Sequence, residues 1–402
     1  MTDPRTRLRG RARHLAPALT SSLLLAGMAA SAGPAAASAA VPTAACSALS
    51  GPSAWGGPPP PSPGTEDNGF TGVTVLSLCD AWAVGFDRNI GGLDQTLIEH
   101  WDGATWSVVP SPDVAGRNNQ LNAVRAKSAT DIWAVGESFV TGSDQTLILH
   151  WDGHTWAQVA SPNPGGRAFL DAVRAVSPTD AWAVGSFGNA TFQTLILHWN
   201  GHKWAQVASP HPGTNSALYG VAATSASNAW AVGTFFNGTA LQGFILHWNG
   251  QKWARQASPN PGGAARDTRL NAIAAGAASG KAWAVGSYSD GTTDRTLILA
   301  WTGSKWVQQA SPTPGDSFLS GAATTGASNT WTVGDYDTGT ARFSLILHWN
   351  GTKWAQVASP SPSSFSMLFA VAATSATNAW AVGQFNDDNS GLDQNFAIHC
   401  CD

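Results

Sequence analysis

The chain has 402 residues, only 11% of them charged, and a net charge of −4. That balance, with no basic run beyond the extreme N-terminus, argues against nucleic acid or anionic membrane as the main partner. Twenty tryptophans, 43 glycines and 23 prolines suit many short strands and tight turns, and long amphipathic helices are not evident.

The N-terminus stands apart. Arg5, Arg7, Arg9, Arg11 and Arg13 precede an apolar run from Leu15 to Ala30, and the small-residue stretch AAASAAVP follows. This is the layout of a secretory signal peptide, with cleavage expected near Ala39. Thr20, Ser21, Ser22 and Pro34 interrupt the run short of the ~18 apolar residues that a membrane span needs. Residues 1–39 are read as a signal peptide, 40–50 as an N-terminal segment and 51–402 as the folded body. The mature product is expected to be secreted and extracellular, with no membrane span left after cleavage. Losing five arginines and one aspartate takes its net charge from −4 to about −8, a modest negative field.

From Trp82 onward the sequence repeats itself. A W-[AT]-V-G motif recurs at Trp82, Trp133, Trp182, Trp230, Trp283, Trp331 and Trp380, spaced by 48 to 53 residues. The third repeat shows the pattern. A strand LDAVRAVS (170–177) meets a turn, and a second strand AWAVGSF (181–187) leads into a variable loop. A third strand TLILHW (194–199) and an Asn-Gly pair then precede a fourth strand KWAQVA (203–208). Asn-Gly between strands predicts a hairpin with a type I′ turn, in which both residues take positive φ. Ser-Pro-x-Pro then ends the strand, because proline cannot donate to a ladder. Four antiparallel strands in each of seven repeats predict an all-β fold, a seven-bladed β-propeller. A lone four-stranded sheet cannot hide both faces; a blade between two neighbours can, and tryptophan fills the broad outer gap.

The C-terminal repeat is incomplete. Its third strand ends FAIHCCD, with Cys400 where a tryptophan belongs, and no fourth strand follows. Near the other end SAWGGPPPPSPG (53–64) mirrors TKWAQVASPSPS (352–363). Trp55 is therefore expected to supply the outer strand of blade seven, closed by the N-terminal strand. All four cysteines, Cys46, Cys79, Cys400 and Cys401, would then gather at that seam. In an exported chain they are expected to form disulfides, with Cys46 bridging to the Cys400–Cys401 pair.

The order W-D-G-x-x-W, a proline-rich bend, an apolar strand and W-A-V-G resembles bacterial kelch-type propeller repeats. It is also similar to Asp-box (BNR) repeats and to those of photosystem II assembly factors. The likeness covers residues 51–402, with one glycine (Gly85 in the first repeat) where kelch strands carry two.

Six third strands carry a histidine: His100, His150, His198, His247, His348 and His399, with Ala300 in the fifth. Symmetry-related residues lie too far apart to share one metal ion at ~2 Å bonds. Each is expected to pair inside its blade with Asp80, Asp131, Asp180, Asn228, Asn329 or Asn378; Ala300 would face Lys281. No metal or cofactor is expected. NDDNSG (386–391) faintly resembles a calcium loop but lacks the closing acid.

Function should lie where the blades differ. The connections from fourth to first strand and from second to third strand emerge on one face of a propeller, around the channel. At its mouth the variable second residues of the inner strands, Thr71, Asn122, Asp171, Tyr219, Asn271, Ser320 and Phe369, are the candidate ligand-binding set. Glutamate occurs only at Glu66, Glu99 and Glu137, and tyrosine only three times, which does not suit sialidase-type or copper-oxidase chemistry. No catalytic residue is assigned. The expected function is a monomeric, non-catalytic secreted propeller binding an extracellular glycan or protein ligand. A secreted glycan-active hydrolase or lyase, and a structural cell-envelope protein, stay open as alternatives.

Overall fold

The third repeat forms strands Arg167–Ser177, Asp180–Gly188, Phe192–Trp199 and Trp204–Gln206, paired antiparallel in that order. The other repeats follow it. The coordinates, a computed structural model, describe residues 55–140, 142–277 and 279–400, all within the compact unit Ala45–Asp402. The expected signal peptide and the segment 40–50 lie outside them, as do Cys46 and Cys401. No described residue is helical.

First strands of successive blades pack against one another, and that of blade seven (Ser366–Ser375) packs against that of blade one (Asn68–Ser77). The ring is closed. This is the seven-bladed β-propeller expected from the repeats. Second strands such as Asp180–Gly188 are buried along nearly their whole length, since each blade is covered on both faces. Seven apolar clusters result, each shared by neighbouring blades. One joins Trp133, Val135 and Ile148 of blade two to Val173, Leu195 and Trp204 of blade three.

The three tryptophans per repeat have distinct tasks. The second-strand indole meets the next blade's fourth-strand indole edge to face, as Trp133 meets Trp204 at 5.2 Å and 87° and Trp182 meets Trp253 at 5.2 Å and 90°. It also leans on that blade's third-strand indole, as Trp133 does on Trp199 at 5.0 Å. The third-strand indole caps the turn between the first two strands of its own blade: Trp199 Nε1 donates to Pro178 O at 3.1 Å. Aromatic pairs of this kind give about 0.5–1.5 kcal/mol beyond the area they bury.

Blade seven has three strands of its own, ending with Asp393–Cys400. Its fourth place is taken from the chain's other end. Gly56 and His399 exchange both backbone hydrogen bonds, at 3.0 and 2.6 Å, and form an antiparallel bridge. Trp55 is 3% exposed and sits in the cluster shared by blades six and seven. Cys400 pairs with Ala379 as Trp101 pairs with Ala81.

The glycine of W-A-V-G answers a close approach. A Cβ on Gly136 would lie 2.0 Å from Gln120 O, and one on Gly185 2.0 Å from Phe169 O. The first strand bulges beside this point, its register shifting between Leu121 and Ala123 in blade two, so its backbone presses on the second strand.

The outer turn differs from the expected type I′. Gly201 has φ of 91°, but among the described residues the only non-glycine with positive φ is Asn215. Asn200 Oδ1 instead accepts from the N–H of both His202 and Lys203 at 3.0 Å. The loop is a four-residue turn closed by the Asn or Asp side chain, which removes the need for a second left-handed residue.

Candidate functional site

Bulges shape the channel wall. In all seven blades the first-strand register skips one residue, and the skipped residues are Thr71, Asn122, Asp171, Tyr219, Asn271, Ser320 and Phe369. Lacking a cross-strand partner, each side chain is re-aimed, and all seven are half-buried. Three of them tie blades together. Asn122 Nδ2 donates to Leu170 O at 2.9 Å and Asn271 Nδ2 to Leu319 O at 2.8 Å. Thr71 Oγ1 lies 2.6 Å from Leu121 O. Each acceptor precedes the next blade's bulge residue. The Tyr219 hydroxyl accepts from Thr234 Oγ1 at 3.5 Å. The sequence thus finds a real ring of equivalent residues, part of whose polarity links the blades.

On the same end of the molecule, polar loop residues clasp neighbouring blades. The first residue of a third strand donates its N–H to a side chain from the next blade: Asp94 to Asn118 Oδ1 at 2.9 Å, Leu241 to Asp267 Oδ1 at 3.0 Å, Asp294 to Asp316 Oδ1 at 3.0 Å. Asp393 does so to Asp67 Oδ1 at 3.2 Å, across the seam. Asn215, the left-handed non-glycine among the described residues, belongs to this set, accepting from Phe192 N at 3.1 Å. Asp87 carries a carboxyl pushed up to about 6 by burial and then by Asp113 and Asp94. Among the described residues no group of three or more His, Cys, Asp or Glu is placed to hold a metal ion. Asp387, first acid of NDDNSG, accepts instead from Asn389 and Ser390 within its own turn.

The six histidines pair inside their blades. His150 Nε2 lies 2.9 Å from Asp131 Oδ1, His247 Nε2 2.7 Å from Asn228 Oδ1 and His399 Nε2 2.9 Å from Asn378 Oδ1, with the other three alike. Burial lowers His247 and His348, both of which have asparagine partners.

One departure from the repeat makes a pocket that sequence reading missed. The serine of Ser-Pro-x-Pro bonds a third-strand hydroxyl: Ser111 with Thr96, Ser161 with Thr146 and Ser311 with Thr296 at 2.7 Å, Ser209 with Thr194 at 2.6 Å. Blade seven keeps a version, with Ser62 accepting from Asn395 N at 3.1 Å. In blade four the hydroxyl is missing, because Gly243 stands in its place. Asn260, the x residue, turns to Gln242 and to Thr268 Oγ1. A pocket of about 340 Å³ opens, lined by Phe235, Gln242, Gly243, Arg255, Ser258 and Asn260. Arg255 stands over the Phe235 ring at 5.0 Å. Phe235 and Gln242 lie at the loop end of their strands (Asn228–Phe236 and Leu241–Trp248), so the pocket lies at that end of blade four. The signal was present: LQGFILHW where the second and third repeats read DQTLILHW and FQTLILHW.

No protein-family model matches the chain, and no curated protein matches it. Solved structures do. The chain is similar to YCF48 bound to D1 peptide, at 14% identity and a TM-score of 0.54 over 87% of this chain and 97% of that one. It is similar to YCF48 from Cyanidioschyzon merolae, at 14% identity and 0.53 over 86% and 99%. It is also similar to an ulvan lyase of polysaccharide lyase family 25, at 10% identity and 0.51 over 87% and 94%. The likeness is one of fold.

Proposed function

We propose that this chain is an exported propeller that binds a carbohydrate or peptide ligand on its variable-loop face without transforming it. The observation that carries this reading is the blade-four pocket. It arises where the repeat is broken, and it offers an aromatic ring, a guanidinium, three amides and a hydroxyl to one space. An apolar face beside a few convergent polar groups suits a sugar ring or a peptide side chain. Among the fold neighbours, one is bound to a peptide and another is a polysaccharide lyase; both ligand classes are within the reach of this architecture. Export is part of the proposal and rests on the N-terminal layout.

The test is a glycan array and a peptide panel on the mature protein, beside a polysaccharide panel assayed for new reducing ends and unsaturated products. Binding that Phe235→Ala and Arg255→Gln weaken at least tenfold, with no product formed, supports the proposal. Product formation replaces it with a glycan-active enzyme, and the absence of any ligand replaces it with a structural envelope protein. N-terminal sequencing of protein from the medium should begin just after Ala39.

A further inference from the structure

Three residues beyond the bulge, each first strand sets a side chain opposite the second-strand tryptophan. In five blades this residue is small: Thr74, Ala222, Ala274, Ala323 and Ala372. In blades two and three it is arginine, Arg125 opposite Trp133 and Arg174 opposite Trp182. Their strands, Asn118–Ser128 and Arg167–Ser177, are neighbours in the ring. Each is half-buried and stands on the innermost strand of its blade.

These two cations occupy equivalent places on neighbouring inner strands, and neither is paired with an acid among the described residues. Five other described arginines have acids, among them Arg167 with Asp144 and Arg88 with Asp94 and Asp67. Arg125 and Arg174 have no hydrogen-bond or ion-pair partner among the described residues, and Arg174 Nε is buried without one. Burial, and next the like charge of Arg174, push Arg125 down to about 9; burial lowers Arg174 as well. The acid on their own strands is Asp171, three residues and about 10 Å along from Arg174. Two like charges enclosed together are costly unless something neutralises them, and two guanidinium forks present the donor geometry that oxyanions take.

We propose that Arg125 and Arg174 form an anion site in the axial channel, taking one oxyanion group, carboxylate or sulfate, of a larger ligand. This goes beyond the binding reading above, since the pair lies on the inner strands of blades two and three and the pocket on the outer strands of blade four; the small residues of the other five blades leave the anion room.

The experiment follows melting and calorimetric titration of the mature protein in sodium sulfate against sodium chloride at matched ionic strength. Wild type should be stabilised by sulfate in a saturable way. Arg125→Gln and Arg174→Gln should each melt higher than wild type in chloride, because a repulsion is removed, and lose the saturable response. Lys203→Gln, in the exposed outer turn of blade three, should keep it. Equal behaviour of wild type in the two salts, a sulfate response that survives in both channel variants, or variants that melt lower or fail to fold would each overturn the site. Glucuronate, and a peptide with a free C-terminus beside its amidated form, distinguish a sugar acid from a chain end. Sulfate binding without any glycan or peptide ligand would leave the site standing and remove the functional reading.

Discussion

Trp55 meets Trp331 edge to face at 5.2 Å and 85°, the relation that Trp204 has to Trp133 within the regular repeats. The residue nearest the described N-terminus thus completes the packing between blades six and seven. Trp380 continues the series into blade one, meeting Trp106 at 4.9 Å and 84°. The closing segment is held by the bridge at Gly56, by the buried Trp55 indole and by the bonds of Asn395 to Ser62 and Pro61.

It follows that Trp55→Ala should destabilise as much as Trp204→Ala, by about 3–5 kcal/mol for a large aromatic removed from a packed core. Chemical denaturation of both variants checks this. A Trp55 variant within 1 kcal/mol of wild type, beside a strongly destabilised Trp204 variant, would mean that the N-terminal segment is ornamental.

The cysteines reinforce the same seam. Cys79 and Cys400 are not free thiols, while Cys46 and Cys401 lie outside the described residues. Cys400 ends the strand that bonds Gly56, and Cys79 lies in the turn that Trp101 caps through Leu78 O at 3.0 Å. Non-reducing peptide mapping should show Cys46 bridged to the Cys400–Cys401 pair. By the loop-entropy model, closing so long a chain contributes on the order of 4–5 kcal/mol, so reduction should lower the melting temperature markedly. A free Cys46, or Cys46 joined to Cys79 with Cys400 joined to Cys401, would refute the clasp.

Stability should fall as pH rises through neutrality, because of Glu99. It occupies a third-strand position that holds Leu149, Leu197 or Leu246 in other blades, is fully buried, and has one hydrogen bond, from Asn395 Nδ2 at 3.4 Å. Burial pushes its carboxyl up to about 8 from 4.5. Between those values the folded chain holds a proton that the unfolded chain releases. The stabilisation is complete below about 4.5 and is lost towards pH 8, by at most about 1.4 kcal/mol per pH unit. Glu99→Gln should flatten this part of the wild-type profile. A variant whose stability follows pH as steeply as wild type would remove Glu99 as the cause.

The architecture was legible because every repeat states it: tryptophan spacing, the W-A-V-G glycine and Ser-Pro-x-Pro each correspond to a contact seen seven or nearly seven times. The histidine partners were legible for the same reason. What the sequence obscured is where symmetry fails by one residue. Gly243 reads as a harmless small substitution until the hydroxyl pair it breaks is seen. Arg125 and Arg174 read as ordinary polar positions on alternating strands until the ring sets them side by side. The expected type I′ turn gives way because Asn200 acts through its side chain and not through a left-handed backbone.

The blade-four pocket depends on the missing side chain of Gly243. A Cβ there would lie 3.1 Å from Leu270 Cγ and 3.5 Å from Thr268 Cγ2, tight against flexible side chains but clear of backbone. Gly243→Thr would restore the hydroxyl that Ser258 lacks and fill part of the pocket. Thr194 and Ser209 show the expected geometry, at 2.6 Å. A recovered hydrogen bond adds about 1 kcal/mol, and replacing glycine within a strand adds a little more by restricting the unfolded chain; the approach to Leu270 offsets part of this. The variant should therefore melt at or slightly above the wild-type temperature, while a ligand held by Phe235, Arg255 and Asn260 should lose at least tenfold in affinity. Loss of binding without loss of stability assigns the pocket. Unchanged binding in a well-folded Gly243→Thr protein would move the ligand elsewhere on the loop face.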